Sequence, residues 1–401
     1  EGNRMKTALN DGVLTLCPAG HIDSKNATDF EREAMAAVDG APGVSLAVDA
    51  SELVYISSAG LRVFMKLMRR AKGRLSVFNV SPDVYEIFDV TGFTDLLDVK
   101  KRLREISVEG CELIGQGGFG KVYRLDEETI AKIYNPEISL AFVEQERDTS
   151  QKAFLMGVPT AISFDVVKCG ECYGVVYEML DAKTTAQIIE ADPTTIPQVS
   201  GGSAKLLKEL HTIEPGPDAG LPNRRQQFLD WVDSLSEFIT TEEADKIRAF
   251  IDTIPDRGSF LHGDYNAKNI MLRNGEFQLI DIGDAAVGHP VFDIAGLMLV
   301  YIILPNAQGG RSAEERRGLL GFDFDLAPQV WGVMCATYFG LSSQDEIRAK
   351  TQALMPYCLL LMTYQSMRIA GDDKSVIATR VDGVLRARLL PAIEHVEPLD
   401  F

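Results

Sequence analysis

His262-Gly263-Asp264-Tyr265-Asn266-Ala267-Lys268-Asn269, followed by Asp281-Ile282-Gly283-Asp284, is the stretch on which the reading of this chain turns. It sets an acid, Asp264, and an amide, Asn269, five positions apart. A second acid, Asp281, comes twelve residues after the amide, behind the mostly apolar run Phe277-Gln278-Leu279-Ile280. That spacing suits phosphoryl transfer. One Asp orients the hydroxyl that attacks, and Asn plus a second Asp hold Mg²⁺ on nucleotide phosphates. Asp264 is therefore the expected base, with Asn269 and Asp281 the expected metal ligands.

The upstream parts of such a site are present. Gly115-Gln116-Gly117-Gly118-Phe119-Gly120-Lys121-Val122-Tyr123 fits the pattern G-x-G-x-x-G-x-V. A dinucleotide fold or a Walker loop passes from its glycines straight into a helix. Here alternating residues follow, and then Ile130-Ala131-Lys132-Ile133-Tyr134. The order strand, turn, strand predicts a β-hairpin over phosphates, with Gly115, Gln116, Gly117, Gly118, Phe119, Gly120 and Val122 as nucleotide contacts. Lys132 is the cation that reaches the phosphates. Its carboxylate partner is expected on a helix over Leu140–Met156. Glu146 is preferred there and Glu144 is the second choice. Tyr173–Leu180 reads as an apolar strand running into a linker.

Residues 111–401 resemble the protein-kinase-like phosphotransferases, and His-Gly-Asp-x-x-x-x-Asn with Asp-Ile-Gly-Asp is similar to their aminoglycoside and choline kinase branch. The resemblance implies an α+β fold with a β-rich lobe at 111–178 and a helical lobe at 181–401. It implies ATP and Mg²⁺ as cofactors, with the adenine held by backbone carbonyl and amide groups at Glu178 and Leu180. No Ala-Pro-Glu follows Asp281, so a protein-kinase activation segment is missing. Instead Ala286–Ala295 resembles the same branch, in which the later acid, Asp293 here, caps a helix and braces the catalytic loop. The glycine loop is closer to the protein-kinase form. His262 is read as fixing the loop and His289 as a packed residue. Asp284 is left open between a structural role and a contact in the acceptor pocket.

The first hundred residues differ. Short β-rich runs at Leu14–Cys17, Val44–Val48 and Leu75–Val80 alternate with helical patterns at Ala27–Val38, Ala59–Lys72 and Pro82–Phe88, which predicts a small α/β layer fold. Ser57 and Ser58 stand at a strand-to-helix turn, where Ser58 reads first as an N-cap. Residues 5–105 resemble a STAS domain, the fold of anti-sigma factor antagonists. In that family a Ser or Thr at this helix start can be phosphorylated, because the helix N-terminus favours negative charge. The commonest form, Asp-Ser-Ser-Gly-Leu, has its acceptor just before Gly, where this chain has Ala59. Ser58 is therefore a candidate phosphosite, and a protein partner through this domain is expected.

Composition agrees. The 401 residues suggest two or three domains, and 46% hydrophobic with 24% charged content is ordinary for a globular chain. A net charge of −18 argues against nucleic acid and anionic membrane as partners, and weakly favours a neutral or cationic acceptor. The six cysteines are scattered, and Cys169-Gly170-Glu171-Cys172 reads as a hairpin turn. With no signal-peptide pattern and no apolar run of membrane-spanning length, the expected location is cytoplasmic. Met5 is the expected natural start, behind a remnant Glu1–Arg4. The domain junction is expected near Val99–Val108, in a basic run, Lys100–Glu105, read as linker or helix end. Ala182–Gln198 and Ile213–Arg225 are expected loops, and capping boxes are expected at Ser343/Glu346 and Thr240/Glu243.

Three functions follow. The foremost is an ATP/Mg²⁺-dependent phosphotransferase acting on a hydroxyl of a small molecule, with a regulatory or assembly STAS-like domain. The alternatives are a protein Ser/Thr kinase in an anti-sigma-factor-type pathway and a nucleotide-binding scaffold.

Overall fold

The computed structural model describes residues 5–10, 12–72, 75–306, 312–371, 373–394, 396, 399 and 401. Of the proposed remnant, Glu1–Arg4 lie outside the described residues. The chain divides into two compact units, Glu1–Ile106 and Ser107–Phe401.

In the first unit, strands Lys6–Asn10, Val13–Cys17, Ser45–Asp49, Leu75–Val80 and Asp98–Lys101 lie in that order in one sheet. The first pair is antiparallel and the rest are parallel. Ala19–Ile22 and Glu52–Ile56 pair in parallel beside it. Helices Ala27–Asp39, Ser58–Arg70 and Pro82–Val90 connect the parallel strands. Leu16, Val48, Val77, Phe64 and Phe88 are fully buried, so sheet and helices share one core. The basic run expected to be linker is partly strand, because Asp98–Lys101 pairs with Leu75–Val80. The cap of Ser58–Arg70 is Ser57, whose Oγ accepts the Gly60 N–H at 3.4 Å. The N-cap reading of Ser58 is corrected accordingly: it is the first helical residue, and its hydroxyl-bearing side chain is exposed. Gly60 is required because a Cβ there would come within 2.8 Å of both Ile56 and Ile22.

The second unit begins with antiparallel strands. Ser163–Cys169, Cys172–Glu178, Thr129–Tyr134, Gly120–Arg124 and Glu112–Gln116 are neighbours in that order. Cys169 faces Cys172 across a turn with Gly170 at φ +59°, a hairpin as expected. Helix Leu140–Leu155, capped by Ser139, packs on this sheet through Val143, and its Ala153 joins the core of the helical part. The remainder is mainly helical and packed around a large core that includes Phe228, Phe260, Tyr301, Phe322 and Leu361. Two small sheets are set into it: Lys183–Thr184 with Ile270–Arg273 and Glu276–Leu279, and Ser259–Leu261 with Ala286–Gly288. Both expected capping boxes are formed. The expected loop at Ala182–Gln198 is instead mostly ordered, with helix Thr185–Ala191 closed by a Thr184/Gln187 capping box. Local Thr and Pro chemistry there marks helix starts, at Thr184 and Pro197, rather than a loop. No helix among the described residues is long and apolar enough to cross a membrane.

Candidate active site

The hairpin Glu112–Gln116/Gly120–Arg124 turns through 117–119. A Cβ at Gly120 would lie 2.2 Å from the Ile133 carbonyl, so glycine is imposed there by the neighbouring strand. A Cβ at Gly117 or Gly118 would meet nothing within 4 Å. Those two glycines leave open space that the fold does not demand. The Gly118 carbonyl accepts from Asn135 Nδ2 at 3.0 Å, and the Phe119 carbonyl from the Asn135 N–H at 2.9 Å. Phe119 is 57% exposed, stacked on Phe142 at the start of helix Leu140–Leu155.

Lys132 projects from the next strand, with Nζ 2.7 Å from Glu146 Oε1 and 2.7 Å from Asp281 Oδ1. Glu146 is buried on helix Leu140–Leu155, so of the two expected acids it is Glu146 that meets the lysine. Burial disfavours the ammonium, but the carboxylates of Asp281 and Glu146 outweigh it and hold Lys132 above its ordinary value. Asp281 likewise suffers from burial, and the Lys132 cation pulls its carboxyl below the ordinary range. Its backbone is left-handed, φ +61°, which is uncommon for a side-chain-bearing residue. The preceding Ile280 N–H is held by the Asn269 carbonyl. Gly283 sits where a Cβ would come within 2.6 Å of Glu146 Cγ, so the small residue admits the carboxylate to Lys132.

The catalytic-loop candidate is fixed from several sides. Asn269 Nδ2 donates to Asp264 Oδ2 at 2.9 Å, and Asn266 Nδ2 donates to Oδ1 at 3.0 Å. Asp264 itself remains open to the cleft. Crowding by protein raises its carboxyl above the ordinary value; Asp281 and Asp284 add to this, while His262 and Asn269 oppose it. Asp293 accepts the His262 N–H and the Gly263 N–H, both at 2.8 Å, and meets His211 Nε2 at 3.2 Å. It braces the loop as expected. It does not cap the helix, since it lies within Val291–Met298 behind Pro290. His262 is fully buried and its Nδ1 accepts the Asp264 N–H at 3.3 Å. The Ala267 N–H donates to Tyr301 Oη at 2.8 Å, and the Ala267 carbonyl accepts from Thr185 Oγ1 and the Ala186 N–H.

At the linker the Glu178 N–H is used by the Ile162 carbonyl and the Met179 N–H by Glu128. No protein acceptor takes the Leu180 N–H among the described residues, so that donor stays available to a ligand. His289 is buried away from the cleft, with Nδ1 accepting the Val291 N–H and Nε2 meeting the Phe401 carbonyl. Beside Gly263 a concavity is lined by Arg224, Asp284, Asp293, Tyr364, Gln365 and Arg368 among others. Sequence reasoning missed Arg224, Arg368, His211 and Tyr301. Arg224, Arg368 and His211 are single and far from the motifs, and Tyr301 is one apolar-run residue six positions past Ala295; the fold brings each there.

The family model of the phosphotransferase enzyme family (APH) matches residues 111–328. The chain belongs to that family. A second model, the STAS domain, matches residues 4–106. Over that part this phosphotransferase is 38% identical across 92 residues to a putative anti-sigma factor antagonist, BtrV, of Bordetella bronchiseptica, covering 22% of this chain and 78% of that protein. It is 32% identical across 90 residues to the anti-sigma-B factor antagonist of Listeria monocytogenes, again covering 22% and 78%. Among solved structures it is similar to a choline/ethanolamine kinase family protein from Mesorhizobium loti, at 16% identity and TM-score 0.45, covering 71% of this chain and 88% of that one. It is also similar to ADP-bound aminoglycoside phosphotransferase APH(2'')-Ib, at 17% identity and TM-score 0.45, covering 77% and 98%. The phosphotransferase therefore joins an α/β STAS domain to a protein-kinase-like α+β fold.

Proposed function

We propose that the phosphotransferase unit moves the γ-phosphoryl group of ATP to a hydroxyl of a small molecule. Loop amides at 115–120 cover the phosphates, and Lys132, braced by Glu146, holds them. Asn269 and Asp281 would hold Mg²⁺. The residues fit: the Asn269 amide nitrogen is turned to Asp264, which leaves its oxygen free, and Asp281 has one oxygen beyond its Lys132 bond. Mg²⁺ typically takes one or two protein oxygens and completes its shell with phosphates and water. When bound it neutralises charge on the transferring group. Asp264 accepts the acceptor hydroxyl's hydrogen bond and takes its proton as the oxygen bonds to phosphorus. The bond from phosphorus to the bridging oxygen breaks, and ADP leaves. A raised carboxyl value suits Asp264 to that late proton transfer.

The observation that carries the small-molecule reading is the chain after Asp281. It passes at once into strand Ala286–Gly288 and helix Val291–Met298, leaving no long segment to seat a peptide. Labelled ATP, Mg²⁺ and a small-molecule pool test it. Label on a small molecule supports the reading and label on protein opposes it. A second reading, transfer to protein, draws support from exposed Ser58 at the start of a helix, where an added phosphate is favoured by the helix dipole. Ser58→Ala would then remove the label. A protein partner through the STAS domain fits either reading.

A further inference from the structure

Arg224 is only 6% exposed. Its guanidinium donates to the Asp284 carbonyl at 2.7 Å and to Gln227 Oε1 at 3.0 Å. Both acceptors are neutral, and among the described residues Arg224 forms no ion pair with a carboxylate. A guanidinium stays charged in proteins, and buried charges are normally paired. Its position adds to the cost. Arg224 opens helix Arg224–Ser234, where the backbone dipole is already positive.

The carboxylates nearby are committed elsewhere. Both oxygens of Asp293 take loop amides, and one also meets His211. Asp284 Oδ1 stands 3.6 Å from Arg368, a half-exposed residue on helix Gln344–Ala370. Arg224 and Arg368 both line the concavity that includes Gly263, the residue before Asp264. Two guanidinium groups and two carboxylates, half-exposed Asp284 and buried Asp293, thus line it, and only Arg368 stands opposite a carboxylate. Among the described residues the Arg224 guanidinium is thus the charge in the concavity without an ion-pair partner, inside a chain of net charge −18. That unpaired guanidinium, rather than the net charge, bears on the acceptor, because a site answers to its own lining and exposed charge far away is screened.

We propose that the acceptor is an anionic hydroxyl compound. Its carboxylate or phosphate-type group sits between Arg224 and Arg368, and its hydroxyl reaches Asp264. Planar guanidinium groups match such oxyanions with paired N–H donors. The inference rests on the small-molecule reading above.

The test fractionates a small-molecule cell extract by charge before incubation with the full chain, labelled ATP and Mg²⁺. Asp264-dependent acceptor activity should be retained on an anion exchanger. Activity retained on a cation exchanger, or not retained at all, overturns the inference. With the active fraction, Arg368→Gln and Arg224→Gln should each raise the acceptor KM at least about tenfold and keep the nucleotide KM within about twofold. Arg224→Gln should also be no less heat-stable than the parent without acceptor, since it removes an unpaired buried charge. Lower stability with an unchanged acceptor KM would make Arg224 purely structural and sink the proposal. If Arg224→Gln fails to fold, Arg368→Gln decides. If no fraction accepts Asp264-dependent label, the small-molecule reading itself fails and this inference falls with it.

Discussion

The two sides of Asp264 are built by different means. On the phosphate side, Lys132, Glu146 and Asp281 form a closed arrangement of opposite charges at 2.7 Å. On the side proposed for the acceptor, Arg368 faces the half-exposed Asp284 carboxylate, while buried Arg224 bonds only the Asp284 carbonyl and Gln227. The first side pairs its cation before any ligand arrives, whereas the second leaves the Arg224 guanidinium without a carboxylate partner among the described residues. A preorganised phosphate site would serve any nucleotide reaction of this type, and on the reading proposed above selectivity for the acceptor resides on the Arg224 side.

The largest effect should come from breaking the phosphate side at its metal end. Asp281→Asn replaces a charged ligand with a neutral amide, a poorer partner for Mg²⁺. It also removes one of the two carboxylates on Lys132. Turnover should fall by about a thousandfold or more, and nucleotide affinity should weaken in Mg²⁺ but change less in EDTA. Full activity in steady-state assays would contradict the assignment.

Lys132→Ala should follow, at roughly a hundredfold in kcat/KM for ATP. A loss under about threefold corresponds to less than roughly 0.7 kcal/mol and would mean that Lys132 does not hold the phosphates. Gly283→Ala is milder and sharper. A Cβ there would lie 2.6 Å from Glu146 Cγ, so it should push Glu146 off Lys132 while leaving the lysine in place. We expect about a tenfold loss in kcat/KM, with acceptor KM unaffected. Equal damage to acceptor KM would mean that the two sides of the cleft are not separable.

The smallest expected effect on activity concerns His289, which belongs to neither side. Burial holds its imidazole down at about 4, below the ordinary 6.5. The folded state thus keeps it neutral while the unfolded chain takes up a proton below about pH 6.5. Its contribution is fully present above that pH and is lost as pH falls towards 4, by up to about 3 kcal/mol. His289→Asn should flatten the acid side of the Tm–pH curve between pH 6.5 and 4. An unchanged curve would contradict this.

The contrast between the two sides also explains what could be read from sequence. Asp264, Asn269 and Asp281 lie on one short stretch whose spacing is set by the chemistry, and the glycine hairpin and Lys132 are near-neighbours along the chain. Glu146 was selected over Glu144 by its offset from Lys132, and the fold places it on the lysine. The alternating β/α pattern of the first unit likewise showed its α/β layering, which the structure builds on mostly parallel strands. Strand Lys6–Asn10 was not legible, being exposed along its whole length and so without an alternating apolar signal. Helix Thr185–Ala191 was mistaken for loop because Thr and Pro serve both helix starts and turns. The acceptor side was illegible for a different reason. Arg224 and Arg368 lie 144 positions apart, and only the packing of helices Arg224–Ser234 and Gln344–Ala370 within the same core brings them to one concavity.

The most direct test of the account compares the parent chain with Asp264→Asn, each given γ-labelled ATP, Mg²⁺ and a small-molecule extract. The account predicts a labelled small-molecule phosphoester from the parent chain and at least about a hundredfold less from Asp264→Asn. Equal labelling by the two proteins, or label confined to protein and removed by Ser58→Ala, would contradict it.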